Sequence, residues 1–363
     1  MTTSRLASPS LFSAFSLALA LALTACGGGG SSSPDAAAPA PAPTPVPAPA
    51  PIPAPAPAPV PAPSPAPVAT LPAGASPSTT VADCPNLLAG TAPPLADADA
   101  MAAAAVLAAV DPAHGYSEYT RLPSLLTWWV RSAGSVVDET SLGAAIHETN
   151  HQIDFALSYT CHTDRLARFF AASQIHTTGL IIGTTAPFNI VAEVFPAALK
   201  TSRAFRYNVY IAGQEGAVDD FDGALEEQNA YVSGGIFEAK LLASGVYSYL
   251  ATAGDFNAGG AADSSLYVLA YLQAARLNHP STYAAIQSQS QTIAFLQFEW
   301  TRFESMLDLM YQYSVAGGGS QVVPVDVIAA IYSPVYSPAF IGELDRLGIT
   351  HKTASDFSAT YLH

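Results

Sequence analysis

Apolar residues recur at three- and four-residue spacings over most of the chain after residue 80, with polar residues between them. This spacing predicts amphipathic helices, whereas β-branched and aromatic runs bounded by proline or glycine predict strands. The pattern predicts helices at 96–109, 139–158, 163–173, 223–251, 264–278, 291–313 and 338–347, and strands at 121–130 and 179–185. The expected fold class is therefore mainly α, an α+β arrangement with one small sheet beside the helix at 139–158.

The first 26 residues have a different pattern. Arg5 gives a short cationic start, the stretch Leu11–Leu23 is almost entirely apolar, and small residues directly precede Cys26. These features predict a secretory signal peptide over residues 1–25, whose apolar core is too short to be a spanning helix of the mature protein. Cys26 either has a role of its own, to which the residues directly before it point, or is an incidental cysteine behind a plain secretory signal.

The sequence that ends at Cys26, Leu23-Thr24-Ala25-Cys26, resembles the lipobox of bacterial lipoprotein precursors. The resemblance implies cleavage before Cys26, which would then carry a diacylglyceryl group on its sulfur and an acyl chain on its amine. Several acyl chains together hold a protein stably in a lipid bilayer. The expected location is therefore the bacterial cell envelope, lipid-anchored at the outer membrane or the cell surface.

Residues 26–80 are rich in Gly and Ser and then in alternating Pro and Ala. Alternating Ala-Pro cannot form helices or sheet ladders and prefers an extended polyproline II path of about 3.1 Å per residue. We therefore expect a semi-rigid stalk, in which Pro39–Pro67 alone spans roughly 90 Å. Residues 81–363 contain no second linker and are expected to form one folded unit with two lobes.

Charge and cysteine content narrow the partners and the compartment. Only 11% of the residues are charged and the formal net charge is −15, which argues against nucleic acid and anionic membrane surfaces as partners. The chain has three cysteines. If Cys26 carries lipid, Cys84 and Cys161 remain, and we predict a disulfide between them in an oxidising compartment. Two free buried thiols are the alternative.

The helix predicted at 139–158 contains the segment His147–His151, which reads HETNH and so has the pattern HExxH. Two histidines four residues apart lie one turn apart on the same helix face, so both imidazoles can reach one Zn²⁺. Glu148 then stands beside the metal, where its carboxylate can act as a general base. Asn150 and Asp154 either orient the ligands or are polar residues that face solvent. The alternative for the whole motif is a surface helix with two ordinary polar histidines.

A catalytic zinc site needs three protein ligands and one open position. The metzincin pattern HExxHxxGxxH is absent, because Asp154 and Leu157 stand at its glycine and third-histidine positions. The remaining option is a glutamate on a separate downstream helix. The segment 222–231, which contains Glu226 and Glu227, combines a predicted helix with a carboxylate-rich polar face. Burying such a face without a metal or hydrogen-bond donors would be costly.

The segment 226–231, which reads EEQNAY, resembles the acidic-Glu-x-Asn-Ala-Tyr helix that some gluzincin-like peptidases place opposite their HExxH helix. The resemblance implies a zincin-like catalytic domain over residues 81–363, with Zn²⁺ held by the two HExxH histidines and Glu227. Glu226 is the reserve choice for the third ligand, because adjacent helix residues diverge by about 100° and only one of them can face the metal.

The expected activity is zinc-dependent hydrolysis of peptide bonds in a peptide or protein substrate. Glu148 would act as the general base, and Tyr231, one helical turn after Glu227, is the nearest donor for an oxyanion. The weaker candidates for this donor are Tyr207, Tyr210, His162 and His176. Two alternatives stay open: a catalytically silent lipoprotein that binds a partner, and a zinc hydrolase that cleaves a non-peptide bond.

Overall fold

The computed structural model describes residues 139–162, 164–172, 174–213, 216, 219–243, 257–314 and 325–362. All of them belong to one compact unit, Val68–His363. The predicted signal peptide at 1–25, the stalk at 26–80, the helix at 96–109 and the strand at 121–130 lie outside the described residues. No helix within these described stretches is long and apolar enough to cross a membrane.

The described part of the chain is mainly helical with a two-stranded antiparallel sheet, which confirms the predicted fold class at this level. The helices are α1 (Glu139–Phe155), α2 (Ala197–Ser202), α3 (Ala204–Arg206), α4 (Phe221–Ala243), α5 (Asn257–Asn278), α6 (Pro280–Ser288), α7 (Ser290–Ser314), α8 (Val325–Tyr332), α9 (Pro338–Leu347) and α10 (Ala354–Tyr361). The strands are β1 (Leu166–Ala171) and β2 (Gln174–Ile181). Two π-helical turns, Ala156–Thr160 and Tyr207–Ile211, follow α1 and α3, and a 3₁₀ helix covers Phe188–Glu193.

Five of the predicted helices are present among the described residues. The prediction at 338–347 has the bounds of α9, and those at 139–158 and 291–313 correspond to α1 with its π-helical turn and to α7. Helices α4 and α5 begin earlier than the pattern predicts, at Phe221 and Asn257. The pattern does not predict α2, α3, α6, α8 or α10, because each is too short for a helical period to stand out.

The helix predicted at 163–173 is wrong, because this stretch contains strand β1, which pairs with β2. All residues of β1 after Leu166 are buried, so no exposed polar residues mark one face, and the apolar positions fit a helix as well as a strand. Ala172 has a positive φ of 48°, and there the chain turns from β1 into β2. The strand predicted at 179–185 is present but lies earlier, as β2.

Helix α4 is the central element of the described fold, because it packs against α1, α5 and α7. Nearly every residue from Ala224 to Ala239 is buried, including the polar ones. The sheet completes the core: β1 packs on α1, and β2 packs on α7. Phe169 of β1 also stacks on Phe295 of α7. Polar side chains in the middle of α4 therefore need polar partners inside the protein.

Two glycines let α1 and α4 cross closely. A Cβ added at Gly143 would lie 2.9 Å from Cγ of Glu238, and one added at Gly234 would lie 2.9 Å from the carbonyl oxygen of Gly143. Both distances are shorter than a van der Waals contact, so a larger residue at either position would push the helices apart. Because Gly143 is one turn before His147, this crossing brings the HExxH segment up to α4.

Asp154 joins α1 to two neighbouring elements. Its carboxylate accepts hydrogen bonds from the side-chain amides of Asn150 at 2.9 Å and Asn229 at 2.8 Å, and from the backbone N–H of Phe170 at 2.6 Å. The residue is only 2% exposed, so it does not face solvent. Asn229 belongs to α4 and Phe170 to β1, so one buried carboxylate fixes the relative position of α1, β1 and α4.

The buried carboxyl group of Glu238 makes the stability of this core depend on pH. It accepts a hydrogen bond from the side chain of Asn257. Burial raises the pKa of Glu238 to about 8, although the Asn257 amide and the backbone N–H of Ala258 oppose the shift. In the unfolded chain the pKa returns to its ordinary value of 4.5. The folded state therefore binds the proton more tightly, and the free energy of unfolding falls as the pH rises between these two values.

We expect Glu238→Gln, which keeps the side-chain shape but cannot ionise, to lack this fall. The Tm of the variant minus the Tm of the wild type should therefore rise by several degrees between about pH 5 and about pH 9. The reason is that each unit by which the pKa is raised corresponds to about 1.4 kcal/mol of free energy. Thermal unfolding followed by circular dichroism measures it. Asp326→Asn, which alters an exposed carboxylate of α8, is the control and should show no such growth. A Tm difference for Glu238→Gln that does not change with pH would contradict the prediction.

Candidate metal centre

The structure brings the three predicted metal ligands together. Helix α1 carries His147 and His151 on successive turns, and α4 carries Glu227 opposite them. One ligand atom from each residue, a ring nitrogen from each histidine and a carboxylate oxygen from the glutamate, lies within 4.8 Å of the other two. The three residues are 2%, 8% and 6% exposed. They form a buried group that is able to hold a metal ion.

The separations between the ligand atoms fit a single small ion. Nε2 of His147 is 3.0 Å from Nε2 of His151, and Oε2 of Glu227 is 3.7 Å from the His151 atom and 4.0 Å from the His147 atom. In a tetrahedral site with bonds of about 2.0–2.2 Å, ligand atoms lie roughly 3.3–3.5 Å apart. The observed separations lie on both sides of that value, so small side-chain adjustments would bring all three atoms to bonding distance from one ion.

The Glu227 carboxylate gives a second reason to expect a cation. Its Oε2 atom is buried and has no hydrogen-bond partner within the described ranges of the chain. Burial raises the pKa of Glu227 to about 8, with His151 lowering it and the charges of Glu226 and Glu148 raising it further. A buried carboxylate that lacks donors is costly when it is ionised. A cation at this point would remove the cost, because it would neutralise the carboxylates gathered around it.

Glu226, the reserve choice for the third ligand, has a different place. Its Oε1 accepts a hydrogen bond from Nδ1 of His151 at 2.8 Å. This bond fixes the orientation of the imidazole and leaves Nε2 directed towards His147 and Glu227. Burial lowers the pKa of His151, but the three neighbouring glutamates outweigh it and raise that pKa well above 6.5. Adjacent residues of α4 thus have different partners: Glu227 faces the Nε2 atoms of the two histidines, and Glu226 binds the Nδ1 side of His151.

His147 is the more enclosed of the two histidines. Its ring centroid lies 4.1 Å from that of Tyr231 and 4.6 Å from that of His151. Burial, and after it the positive charges of His151 and Arg206, hold the pKa of His147 well below 6.5. A neutral imidazole is the form that binds a metal, so at neutral pH His147 is in the protonation state of a ligand.

Glu148 lies beside the ligand atoms without joining them. Its Oε1 is 3.9 Å from Nε2 of His147, and the residue is buried. Burial raises the pKa of Glu148 to about 7, with His151 opposing the shift and Glu226 adding to it. A carboxylate with a pKa near neutrality can take up and release a proton at neutral pH, which is the property that a general base needs.

Tyr231 also reaches the centre, where it is accompanied by two further residues. Its hydroxyl is 2.8 Å from that of Tyr210, and it accepts a hydrogen bond from Arg206. The Arg206 guanidinium also pairs with Asp263 of α5 at 3.2 Å. Tyr210 is one of the weaker candidates predicted from the sequence, whereas Arg206 and Asp263 are not predicted from it. No spacing in the sequence connects these two residues with HExxH, so only the fold could reveal them.

The other weaker candidates lie in different surroundings. Tyr207 stacks on Phe195 with the ring centroids 5.6 Å apart, and His176 packs against Phe298 at 4.2 Å on the side of β2 and α7. These are contacts of a hydrophobic core. His162 follows the π-helical turn after α1 and is half-buried.

The predicted cysteine roles fall partly within the described chain. Cys161 takes part in a disulfide directly after the π-helical turn that follows α1. Cys84, its predicted partner, and Cys26, the predicted site of lipidation, lie outside the described residues. The pairing of Cys84 with Cys161 therefore stays a prediction.

Glu226→Gln should weaken zinc binding by about 10- to 100-fold without abolishing it, because it removes the charged acceptor behind His151 and leaves all three ligands. Glu227→Ala and His151→Ala each remove a ligand and should leave no stoichiometric zinc. Titration of the metal-free protein with zinc in the presence of a competing chelator measures the affinities. Glu193→Gln, far from the ligands in sequence and exposed, should bind zinc like the wild type. Equal affinities for Glu226→Gln and the wild type would rule out the orienting role.

Comparison of the chain with protein-family models, with curated proteins and with solved structures found no match. Conclusions about the site therefore rest on the residues of this chain. Two imidazoles and one carboxylate converge in the core of the described fold, with a near-neutral glutamate beside them and a second carboxylate behind one imidazole. This arrangement is a candidate metal centre.

Proposed function

We propose that this chain is a zinc-dependent hydrolase that cleaves peptide bonds with a zincin-like catalytic site. The observation that supports the proposal best is the buried convergence of His147, His151 and Glu227, with Glu148 at 3.9 Å from one ligand atom. A structural role alone does not require two imidazole nitrogens and a carboxylate oxygen to face one point. A catalytic metal site does, and it also needs a base at its edge.

The donor set favours zinc. Two histidines and one glutamate are borderline ligands that suit Zn²⁺ in a catalytic site, where they leave the fourth position open to water or substrate. Calcium and magnesium prefer sites built from oxygen ligands. The arrangement also agrees with the gluzincin-like resemblance of the sequence, in which HExxH supplies two ligands and a separate helix supplies the third.

Zinc, when bound, would supply a Lewis acid that polarises a carbonyl and makes a water easier to deprotonate. Glu148 would accept a proton of the attacking water as the C–O bond forms. It would then deliver this proton to the amide nitrogen as the C–N bond breaks, and the products are a carboxylate and an amine. Glu226 would keep His151 in its binding orientation throughout, and a tyrosine hydroxyl would donate a hydrogen bond to the oxygen on which negative charge develops.

The centre is least enclosed on the side of Glu226. The side chain of Glu226 is 27% exposed, although its neighbour Glu227 is buried. Phe155 and Tyr159, one and two turns after His151, are 44% and 50% exposed, and their rings lie 4.7 Å apart. Burial, and after it the charge of Glu226, raise the pKa of Tyr159 to about 12. A peptide would approach the ligands from this side.

Glu148→Gln separates metal binding from catalysis. The variant keeps the three ligands and the shape of the side chain, so we expect it to bind zinc like the wild type. Because the amide cannot accept the proton of water, hydrolysis should fall by about 10²- to 10⁴-fold. Zinc content is measured by elemental analysis, and activity by cleavage of a fluorogenic peptide library.

Three results would contradict the proposal. Wild-type protein without zinc after loading would show that the centre does not hold the metal. If the zinc-loaded wild type leaves the whole peptide library intact, the catalytically silent binding protein is favoured. If this protein nevertheless cleaves ester substrates, the hydrolase of a non-peptide bond is favoured. Undiminished cleavage by Glu148→Gln would remove Glu148 as the base.

We also propose that the hydrolase is anchored in the bacterial cell envelope through lipid on Cys26 and held away from the bilayer by the stalk at 26–80. The proposal is supported by the lipobox-like sequence before Cys26 and by the Pro-Ala composition of the stalk. A membrane-anchored peptidase of this kind would act on peptides or proteins outside the cytoplasm.

Replacing Cys26 tests the anchor. In a bacterial host fed with labelled palmitate, wild-type protein should carry the label and partition into the detergent phase, because its acyl chains are buried in lipid. Cys26→Ser has no thiol to modify and should be unlabelled and found in the aqueous phase. Cys84→Ser is the matched control and should keep the label. Palmitate on Cys26→Ser would contradict this site of attachment.

A further inference from the structure

A buried network of polar side chains connects α7 to the helix that carries the third candidate ligand. Arg302 of α7 donates from Nη1 to Oδ1 of Asn229 on α4 at 2.8 Å, and from Nη2 to Oγ of Ser233 at 2.8 Å. Its Nη1 also donates to Oε1 of Glu299, one turn earlier on α7, at 2.5 Å. These residues are at most 7% exposed. The proposed mechanism uses none of them.

The chemistry of the guanidinium fixes the orientation of the Asn229 side chain. An arginine side chain has only N–H donors, so the amide atom that faces Arg302 must be the oxygen. The amide nitrogen then faces the other way, where it donates to Oδ2 of Asp154 at 2.8 Å and to the backbone oxygen of Phe170 at 3.2 Å. The network therefore excludes the flipped amide, in which an oxygen would face the Asp154 carboxylate.

The orientation of this amide matters to the metal centre because of the position of Asp154. Its Oδ2 accepts a hydrogen bond from Asn150, which directly precedes the candidate ligand His151 on α1, at 2.9 Å. The same oxygen accepts from Asn229, which lies two residues after the candidate ligand Glu227 on α4. One carboxylate oxygen is thus bonded to both of the helices that hold the ligands, close to a ligand on each.

The guanidinium is what keeps the Asn229 amide in this orientation. Within the described ranges of the chain, the hydrogen bond to Oδ1 of Asn229 comes from Arg302 alone. If that donor were lost, the amide would be free to turn over, and its oxygen would meet a carboxylate oxygen of Asp154 without a proton between them. The bond between α4 and α1 beside the ligands would then be lost. Metal–ligand distances tolerate deviations of only about 0.2 Å, so a small movement of Glu227 weakens binding.

A second buried ion pair shows what a purely structural pair looks like in this fold. Arg276 of α5 pairs with Glu343 of α9 at 2.7 Å, and the Glu343 side chain is 1% exposed. The partners of this pair in the described structure lie on α5 and α9. It therefore ties two helices together without touching α1 or α4, whereas Arg302 bonds directly to α4.

We propose that Arg302 is a positioning residue of the metal centre: it fixes the orientation of the Asn229 amide, and through that amide the bond to Asp154 that keeps Glu227 beside the two histidines. The inference rests on the metal-binding part of the proposed function and does not depend on the bond that is cleaved. It gives a task to a residue that no sequence pattern connects with HExxH.

Two matched double variants test the assignment, because apolar replacement of a whole buried ion pair is often neutral for folding. We expect the double variant Glu299→Met/Arg302→Met to bind zinc about tenfold more weakly, the lower end of the range for a lost group behind a ligand. The double variant Arg276→Met/Glu343→Met is the control and should bind zinc like the wild type. Titration of the metal-free proteins with zinc against a competing chelator, well below the Tm of each, measures the affinities.

A spectrum and a conservative variant separate positioning from stability. The visible absorption of bound Co²⁺ depends on the geometry of its ligands. The Co²⁺ spectrum of Glu299→Met/Arg302→Met should differ from that of the wild type, and the spectrum of the control should match it. Loss of stability alone would lower the Tm and leave the spectrum of the folded protein unchanged. Arg302→Lys keeps a cationic donor for the Asn229 oxygen and should bind zinc more tightly than Glu299→Met/Arg302→Met.

The outcomes separate this inference from the proposed function. If the wild type binds neither zinc nor Co²⁺, the proposed function fails and this inference fails with it. If the wild type binds zinc and Glu299→Met/Arg302→Met has the same affinity and Co²⁺ spectrum, the inference alone is wrong and the network only stabilises the fold. Arg302→Lys that binds no more tightly than Glu299→Met/Arg302→Met would also overturn it.

A third variant decides the question if Glu299→Met/Arg302→Met does not fold. Asn229→Asp keeps the ion pair of α7 and places an oxygen where the amide nitrogen now faces Asp154, so it reproduces the flipped amide. We expect it to weaken zinc binding by about tenfold. An affinity equal to that of the wild type would overturn the proposal.

Discussion

The close crossing of α1 and α4 is the contact on which the rest of the site depends. Gly143 and Gly234 let the two backbones approach each other. The hydrogen bond from the Asn229 side chain of α4 to the Asp154 carboxylate of α1 holds the helices at that distance. The three candidate metal ligands are divided between these helices, two on α1 and one on α4. A shift of about 1 Å between the helices would move the third ligand out of bonding range of an ion held by the other two.

The electrostatics of the centre follow from the same crossing. It places three glutamates, at 148, 226 and 227, around two buried histidines. Burial raises the pKa values of Glu148 and Glu227, and the three glutamates raise the pKa of His151, so these groups bind protons where a cation could bind instead. Such a concentration of ionisable groups is typical of functional sites, because ordinary cores avoid the cost of burying charge. A divalent ion would satisfy these groups at once.

The sequence alone predicts the centre better than the surrounding fold. HExxH at 147–151 and EEQNAY at 226–231 are local patterns with their own chemistry, and the structure brings their predicted ligands together. The pattern at 163–173 predicts a helix where β1 lies, because burial of nearly all its residues removes the polar positions that would reveal a strand. The sequence identifies Glu226 as a reserve choice for the third ligand. Its hydrogen bond to His151 depends on the rotation of α4 about its own axis, which no sequence pattern determines. Arg206 is brought to Tyr231 only by the chain's path between β2 and α4.

The position of the ligands inside packed helices has a consequence for how the centre opens. Sites carried by loops can separate their ligands in local fluctuations that leave the rest of a domain folded. Here His147 and Glu227 belong to the two helices of the core crossing, so parting them would break the bonds of Asp154 and expose the buried face of α4. Separation of the ligands through movement of the helices is therefore coupled to disruption of the core rather than to the movement of a loop.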